Sequence, residues 1–411
     1  MAGEFKVPRG TADLLPGDSA GHDLVVGSFR RIVRGAGFGE IETPAFEDTA
    51  LFERGVGSST DIVRKEMFTF EDKGGRSLTL RPEGTAPICR AYVEHGMSKL
   101  PQPVRLAYAG SFFRHERPQA GRFRQFHQVG VEVIGTDSPL ADAEAISLLD
   151  DLFSDLEVPG VELRLGSLGS PATRSEYLSE LTGYLASRSD ELAGEVRDRL
   201  ESNPLRAFDS DDEGTARVME DAPLLLDRLD GEDREHFEQV RALLDESGVE
   251  YVVDPTLVRG LDYYTRTVFS FTCDRLGAQS EIGGGGRYDG LVAQLGGPDS
   301  PAVGWAAGVE RILLALGMED EGQELDLFIV WAESGLARRV PTIARELRSG
   351  GLAVGFDLAD RNLKGQLKQA DRSGARWTVI LTAEGTFELK DMESGEQRPV
   401  DLAEVASLIS T

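Results

Sequence analysis

Apolar residues return along the first third of the chain with two different periods, and the period separates helix from strand. From Asp18 to Gly35 they recur every three to four positions, with Leu24, Val25, Phe29, Ile32 and Val33 on one face, which predicts an amphipathic helix. It ends at GAGFG and gives way to the strand-like EIETPAFED (residues 40–48). Pro44 places that strand at an edge or a bulge, because proline has no N–H to give to a ladder. MFTFEDKGGRSLTLRPEG (67–84) predicts a hairpin turned at Lys73-Gly74-Gly75. In GSFFRHERPQAGRFRQFHQVGVEVIG (110–135), two alternating segments flank an arginine-rich loop. A period of two puts Arg114 and Glu116 on one face of the first segment, and Gln128 and Glu132 on one face of the second. A sheet face lined with Arg, Gln and Glu suits a charged small molecule. An exposed hairpin with one solvated face shows the same alternation.

Residues 171–250 read as helical pieces with an exposed loop at DSDDEG (209–214). From Asp326 the pattern becomes LFIVWA, a helix near Leu336–Ser349, LAVGFDL, a helix near Lys364–Arg372, then RWTVILTA. Buried strands alternating with helices predict a small, largely parallel α/β domain.

A length of 411 residues calls for two or three domains. No run approaches a membrane span and no basic-then-apolar leader opens the chain, so a soluble, cytoplasmic protein is expected. Two distant cysteines, Cys89 and Cys273, support neither a disulfide framework nor a structural zinc site. Acidic residues outnumber basic ones 71 to 44, a net charge of −27. Seven of the basic residues are lysine, none of them between Lys99 and Lys364. Such a surface suits concentrated salt, where a Debye length of about 3 Å at ~1 M screens self-repulsion. Residues 171–250 hold 22 acidic and 9 basic residues, a net of −13, whereas 325–411 hold 13 and 11, a net of −2. Within the latter, Arg361, Lys364, Lys368 and Arg372 recur at three- or four-residue spacing and predict one basic helix face. Any RNA partner has to meet local positive patches of this kind.

The 110–135 segment resembles motif 2 of the class II aminoacyl-tRNA synthetases, in the form of the histidyl-tRNA synthetases. Four further stretches agree with that family in the required order: TLRPEGTA (79–86), LVRGLDYYTRTVFSF (257–271), GGGGRYDGL (283–291) and AVGWAAGVERILLAL (302–316). The resemblance runs from about Thr11 into the C-terminal domain. It implies an α/β protein with an α+β catalytic core over 1–170 and 251–322, built on a mixed, mainly antiparallel sheet with flanking helices. It also implies a helical insertion over 171–250 and an anticodon-binding α/β domain over 325–411. The helix before Gly35 and the strand after it resemble motif 1, which in the family forms a dimer interface, so a homodimer is implied.

The resemblance further implies ATP as a substrate, with Mg2+ arriving on its phosphates, and L-histidine and the histidine tRNA as partners. Arg114, Arg259 and Arg311 match the catalytic positions on the triphosphate, joined by Glu116 and Arg122 in ATP binding. Glu83, Thr85 and Gln128 match the cradle for the α-ammonium group, with Gly84 also among the implied histidine-binding residues. Glu132 and Tyr264 match the groups that take the imidazole nitrogens, with Tyr263 and Tyr288 as pocket walls. Arg122, Arg124, Arg361, Lys364, Lys368 and Arg372 are the implied tRNA contacts. Arginine suits the phosphate positions because it is permanently charged and binds bidentately. The glycine run is not a P-loop, since it lacks the GK[ST] ending, and no fixed metal cage is legible. Two other readings stay open on the residues alone. One is a non-catalytic histidine-sensing paralogue that regulates an ATP phosphoribosyltransferase, and the other is a sibling synthetase for threonine, proline or glycine.

Overall fold

The computed structural model describes residues 5–57, 60–198, 200, 203–277, 280–318, 325–383 and 385–409. The chain divides into two compact units, one of Met1–Asp13 with His22–Met318, the other of Leu14–Gly21 with Glu319–Thr411.

An eight-stranded sheet organises the first unit. Its order is Gly39–Glu40, Val104–Phe113, Gln125–Ile134, Ala302–Gly308, Glu281–Arg287, Thr265–Cys273, Val161–Ser167 and Val252–Val253. The six central strands are antiparallel to their neighbours, and the short strand at each edge pairs in parallel. Alternation sorts the side chains between two faces. Tyr108 pairs with Gly130, Gly110 with Gln128, and Glu132 lies between Leu106 and Gly304, so these positions share one face. Ala107, Val129, Val131, Val133, Trp305 and Ala307 face the other way, into a core shared with the helices Pro16–Gly35, Pro139–Asp155 and Gly231–Ser247. Burying one such Val, Leu or Phe stabilises the fold by roughly 1.5–3 kcal/mol, so this face is closed. The polar positions are left on the open one.

The first helix runs Pro16–Gly35 and buries Val25, Val26, Phe29 and Val33, while Leu24 is 47% exposed. The stripe is therefore rotated by about one residue from the predicted one. EIETPAFED is not one strand. Gly39–Glu40 joins the large sheet, Phe46–Asp48 joins a three-stranded sheet with Ser77–Leu80 and Thr69–Glu71, and Pro44 lies in the link. A residue without an N–H serves there, where no ladder bond is needed. The hairpin at 69–80 forms as expected, its turn held by Asp72 Oδ1 accepting from the amides of Gly74 and Arg76, with Gly75 at φ +77°.

The acidic stretch 171–250 is helical in pieces: Pro171–Ala186, Gly194–Arg197, Glu213–Glu220 and Gly231–Ser247. Ser170 caps the first by accepting from the Thr173 amide, with Pro171 next. The earlier pieces bury Tyr177, Leu181, Leu185 and Val218 in one cluster with Tyr108, Tyr263 and Tyr288. The last buries Phe237, Val240 and Leu244 against the closed face of the sheet.

The second unit holds a five-stranded sheet in the order Val354–Phe356, Leu327–Trp331, Trp377–Ala383, Thr386–Asp391, Gln397–Val400. Its first three strands are parallel, and the last two continue antiparallel. The predicted βαβ half is present, and the hairpin that follows was not read from the sequence. Only two residues separate Ala383 from Thr386, which is too short for a crossover and forces the antiparallel return. No helix among the described residues is long and apolar enough to cross a membrane.

Candidate active site

Glu132 is the hub of the open face. It is fully buried, with Oε1 accepting from Thr85 Oγ1 at 2.8 Å and Oε2 from the Tyr288 hydroxyl at 2.5 Å. Gly304 on the adjoining strand makes the room, since a Cβ there would stand 1.8 Å from Glu132 Oε2. Burial, with the neighbouring Glu83 charge added, pushes the Glu132 carboxyl up to about 8 against the pull of the two hydroxyls. Glu83 is also buried, and burial raises its pKa. Its oxygens accept from the amides of Thr85 at 2.7 Å and Ala86 at 3.0 Å, so it caps the helix Thr85–Glu94. Gly84, at the N-cap, lies against the Tyr108 ring, where a Cβ would approach Cζ to 2.6 Å. Tyr263 packs against both Tyr264 and Tyr288, with ring centroids 4.7 and 5.6 Å apart, and all three rings are buried. Gln128 lies on the same face, and its buried Oε1 has no hydrogen-bond partner among the described residues.

Beside this pocket, guanidinium groups alternate with carboxylates. Arg114 follows the strand Val104–Phe113. Its Nε donates to Pro82 O at 2.8 Å, and its guanidinium lies 5.3 Å from the centroid of the Phe126 ring. Glu116 stands 3.8 Å from Arg114 Nη1 and 3.1 Å from Arg122 Nη1. Arg311, on the helix Val309–Leu316, donates from Nε to the main-chain oxygen of Glu281 at 2.6 Å. Burial, reinforced by the Arg122 charge, holds the Arg311 pKa below its usual value. Arg259 is ion-paired through Nη1 with Glu281 Oε2, which also accepts from Ser270 Oγ at 2.9 Å. Burial alone would lower the Arg259 pKa, but Glu281 and Tyr264 more than reverse this. Four guanidiniums from three segments are thus gathered on two residues, Arg114 and Arg122 on the Glu116 carboxylate, Arg259 on the Glu281 carboxylate and Arg311 on the Glu281 main-chain oxygen.

Some expectations change in detail. The first strand ends at Phe113, so Arg114 and Glu116 belong to the loop rather than to a sheet face. The Arg114 amide still donates to Arg124 O at 2.9 Å, which carries the pairing one step further. Thr85 gives its amide to Glu83 and its hydroxyl to Glu132, and Tyr288 bonds Glu132 rather than only walling the pocket. Both DYY tyrosines are buried. Arg124 is held by main-chain oxygens of Glu116 at 3.3 Å and Arg9 at 3.4 Å. In the second unit Lys364, Lys368 and Arg372 are exposed on the helix Leu363–Arg372, opposite buried Gln366 and Ala370. Arg361 precedes that helix and is ion-paired with Asp357, so the stripe is one residue shorter than the spacing predicted.

Three site residues were missed. Tyr108 lies under Gly84 and Gly130 and reads in sequence as a plain strand residue. Arg287, fully buried, binds Asp142, Asp289 and the main-chain oxygens of Thr136 and Ser138, which fixes the start of the segment carrying Tyr288. The alternating charges of Arg-Tyr-Asp were the available signal. Glu281 lies one residue outside strict alternation, because the ladder shifts between Glu281 and Gly283.

This face gathers two buried carboxyls, three tyrosines and a group of guanidiniums on an antiparallel sheet, with a separate α/β unit further along the chain. That is the design of the class II aminoacyl-tRNA synthetases. The sequence profile described as Histidyl-tRNA synthetase matches residues 10–312, and the one described as Anticodon binding domain matches 327–411. The chain is 48% identical to a histidine–tRNA ligase from Nocardia farcinica, covering 98% of this chain and 97% of that one. It is 47% identical to one from Corynebacterium jeikeium, covering 99% and 93%. The crystal structure of apo histidyl-tRNA synthetase from Staphylococcus aureus superimposes with a TM-score of 0.81 at 36% identity, over 99% of this chain and all of that one. The chain belongs to the histidyl-tRNA synthetase family.

Proposed function

We infer that this enzyme is a histidine–tRNA ligase whose reaction runs on the open face of the large sheet. A carboxylate oxygen of histidine attacks the α-phosphorus of ATP, the bond to the β-phosphate breaks, and pyrophosphate leaves. A hydroxyl of the terminal adenosine of the tRNA then attacks the carbonyl carbon of the adenylate and expels AMP. The observation that carries this reading is the buried Glu132 with its two hydroxyl partners, on the same face as the Arg259–Glu281–Arg311 group.

Glu132 takes an imidazole N–H and fixes the ring tautomer. Glu83 and Gln128 hold the α-ammonium group, and Tyr263 and Tyr264 enclose the ring. An apolar side chain is rejected because it leaves these buried groups unpaired. Arg114 and Arg259 stabilise the charge that builds on the α-phosphate, and Arg311 binds the far end of the triphosphate, with Arg122 beside it. Mg2+ arrives on the phosphates. Among the described residues no three His, Cys, Asp or Glu side chains converge on a metal position. Glu116 offers a hard oxygen of the kind such an ion accepts, though its Oε2 is ion-paired with Arg122 Nη1 at 3.1 Å and would have to be shared. Pyrophosphate exchange supported by histidine but not by threonine, proline or glycine tests the assignment. Histidine binding without exchange is the result that favours a regulatory paralogue.

The anticodon-binding unit holds the tRNA through Lys364, Lys368 and Arg372. Lys364→Gln with Lys368→Gln should weaken tRNA charging about tenfold at low salt while leaving pyrophosphate exchange intact, since each lost phosphate contact removes affinity and salt slope. A parallel fall in both activities assigns the stripe a structural role.

The enzyme works as a cytoplasmic homodimer. Phe46 and Phe70 on the three-stranded sheet, 49% and 43% exposed with rings 6.2 Å apart, are apolar surface of the kind a subunit interface covers. It is adapted to concentrated salt, as the net charge of −27 supports. Running the charging assay across KCl concentration reads that adaptation directly, as an activity that rises toward molar KCl.

A further inference from the structure

We propose that Glu281 is a built-in counter-anion that occupies Arg259 and steadies Arg311, and that the triphosphate must displace it. The proposal rests on the reading of Arg259 as a phosphate ligand. Regular alternation would turn the first residue of the strand Glu281–Arg287 away from Gly284 and Gly286, but the register shift between Glu281 and Gly283 re-aims it. Bulges beside active sites commonly serve this purpose.

Glu281 is bound at both ends. Its Oε2 takes the Arg259 guanidinium and the Ser270 hydroxyl, while its main-chain oxygen takes Arg311 Nε at 2.6 Å. One residue thereby orients two phosphate ligands that arrive from separate parts of the chain. The pair is also layered, since the Glu281 side chain is 49% exposed and that of Arg259 12%. The carboxylate is therefore the solvent-facing partner, and an incoming anion can replace it without first uncovering the guanidinium to water. Desolvation where the pair meets would favour the neutral acid, but the Arg259 charge holds the Glu281 pKa below its ordinary value, so the competing group is an anion at neutral pH. Arg259 Nε, buried and without a hydrogen-bond partner among the described residues, leaves the guanidinium capacity for a second acceptor.

The consequence is a site that holds Arg259 in place before ATP binds and loosens its hold on polyphosphate in the ground state. Binding energy withheld there is available in the transition state, and pyrophosphate leaves more easily. Glu281→Gln tests this, because the amide oxygen can still accept from Arg259 and Ser270 while the charge is gone. The KM for ATP in pyrophosphate exchange should fall about tenfold, and inhibition by added pyrophosphate should strengthen by a similar factor, as expected for removing a like charge a few ångströms from a phosphate. Equilibrium titration of the variant with ATP alone provides a second reading that does not depend on turnover, and should show the same tightening.

An unchanged KM overturns the proposal. A KM that rises and is restored by extra Mg2+ also overturns it, by making Glu281 a metal ligand. Arg259→Ala, assayed alongside, separates the two levels of the argument. If that variant is crippled while Glu281→Gln leaves ATP affinity unaltered, only the counter-anion role fails; if it exchanges normally, the phosphate-ligand reading fails with it.

Discussion

Arg259→Ala should slow histidyl-adenylate formation by 10²-fold or more, equivalent to about 3 kcal/mol of lost transition-state stabilisation. The guanidinium is 12% exposed and lies 5.8 Å from the centroid of the Tyr264 ring, so it acts where water is largely excluded and its charge is little screened. Its loss also leaves the Glu281 carboxylate facing the phosphates uncompensated, which adds repulsion to the missing attraction. Single-turnover measurement of adenylate formation reads this directly. A rate near that of the parent enzyme contradicts the role given to Arg259.

Glu132→Gln should have the larger effect on substrate selection and an opposite effect on stability. The buried carboxyl proposed to accept an imidazole N–H is replaced by an amide, which keeps one acceptor oxygen where Glu132 has two and must turn its donor nitrogen either to the ring or to the Thr85 and Tyr288 hydroxyls. The kcat/KM for histidine should fall on the order of 10³-fold or more, in keeping with the rejection expected from unpaired groups in a polar pocket. The folded-state pKa of Glu132 is raised to about 8 from an ordinary value of 4.5. Between those values the native state binds more protons than the unfolded chain, so stability falls as pH rises and the penalty is complete above about 8. The variant has no such proton to lose. Its melting temperature should match or trail the parent near pH 5 and exceed it increasingly toward pH 9. A difference that does not change with pH contradicts the burial argument for Glu132, whatever happens to activity.

Periodicity in the sequence carried the closed face of the sheet well, because Val129, Val131 and Val133 alternate with the polar face and all three are buried in the core behind it. The same alternation placed Gln128 and Glu132 together on the open face. It failed where backbone geometry departs from a regular strand. Arg114 and Glu116 lie past a strand end, and Glu281 is turned by a ladder shift that no residue pattern announces. Pro44 indicated irregular pairing, yet the sequence could not say that two separate sheets meet on either side of it. Tyr108 was hidden for a different reason. Its position is defined by what Gly84 and Gly130 lack, and a missing Cβ matters only once distant strands are in register. The gathering of Arg259 and Arg311 on Glu281, one on its carboxylate and one on its main-chain oxygen, is likewise a tertiary fact. The family resemblance pointed to the arginines and to Glu116, but the place of Glu281 between Arg259 and Arg311 appears only in the fold.

The account depends on one arrangement: cations from three distant segments gathered around a triphosphate, next to a carboxylate that grips an imidazole. A crystal structure of the enzyme with histidine and a non-hydrolysable ATP analogue tests it most directly. The expected density has Arg114 and Arg259 on the α-phosphate, Arg311 at the γ-phosphate, and a Glu132 oxygen within hydrogen-bonding distance of a ring nitrogen. A triphosphate bound away from these guanidiniums, or an imidazole turned from Glu132, contradicts it.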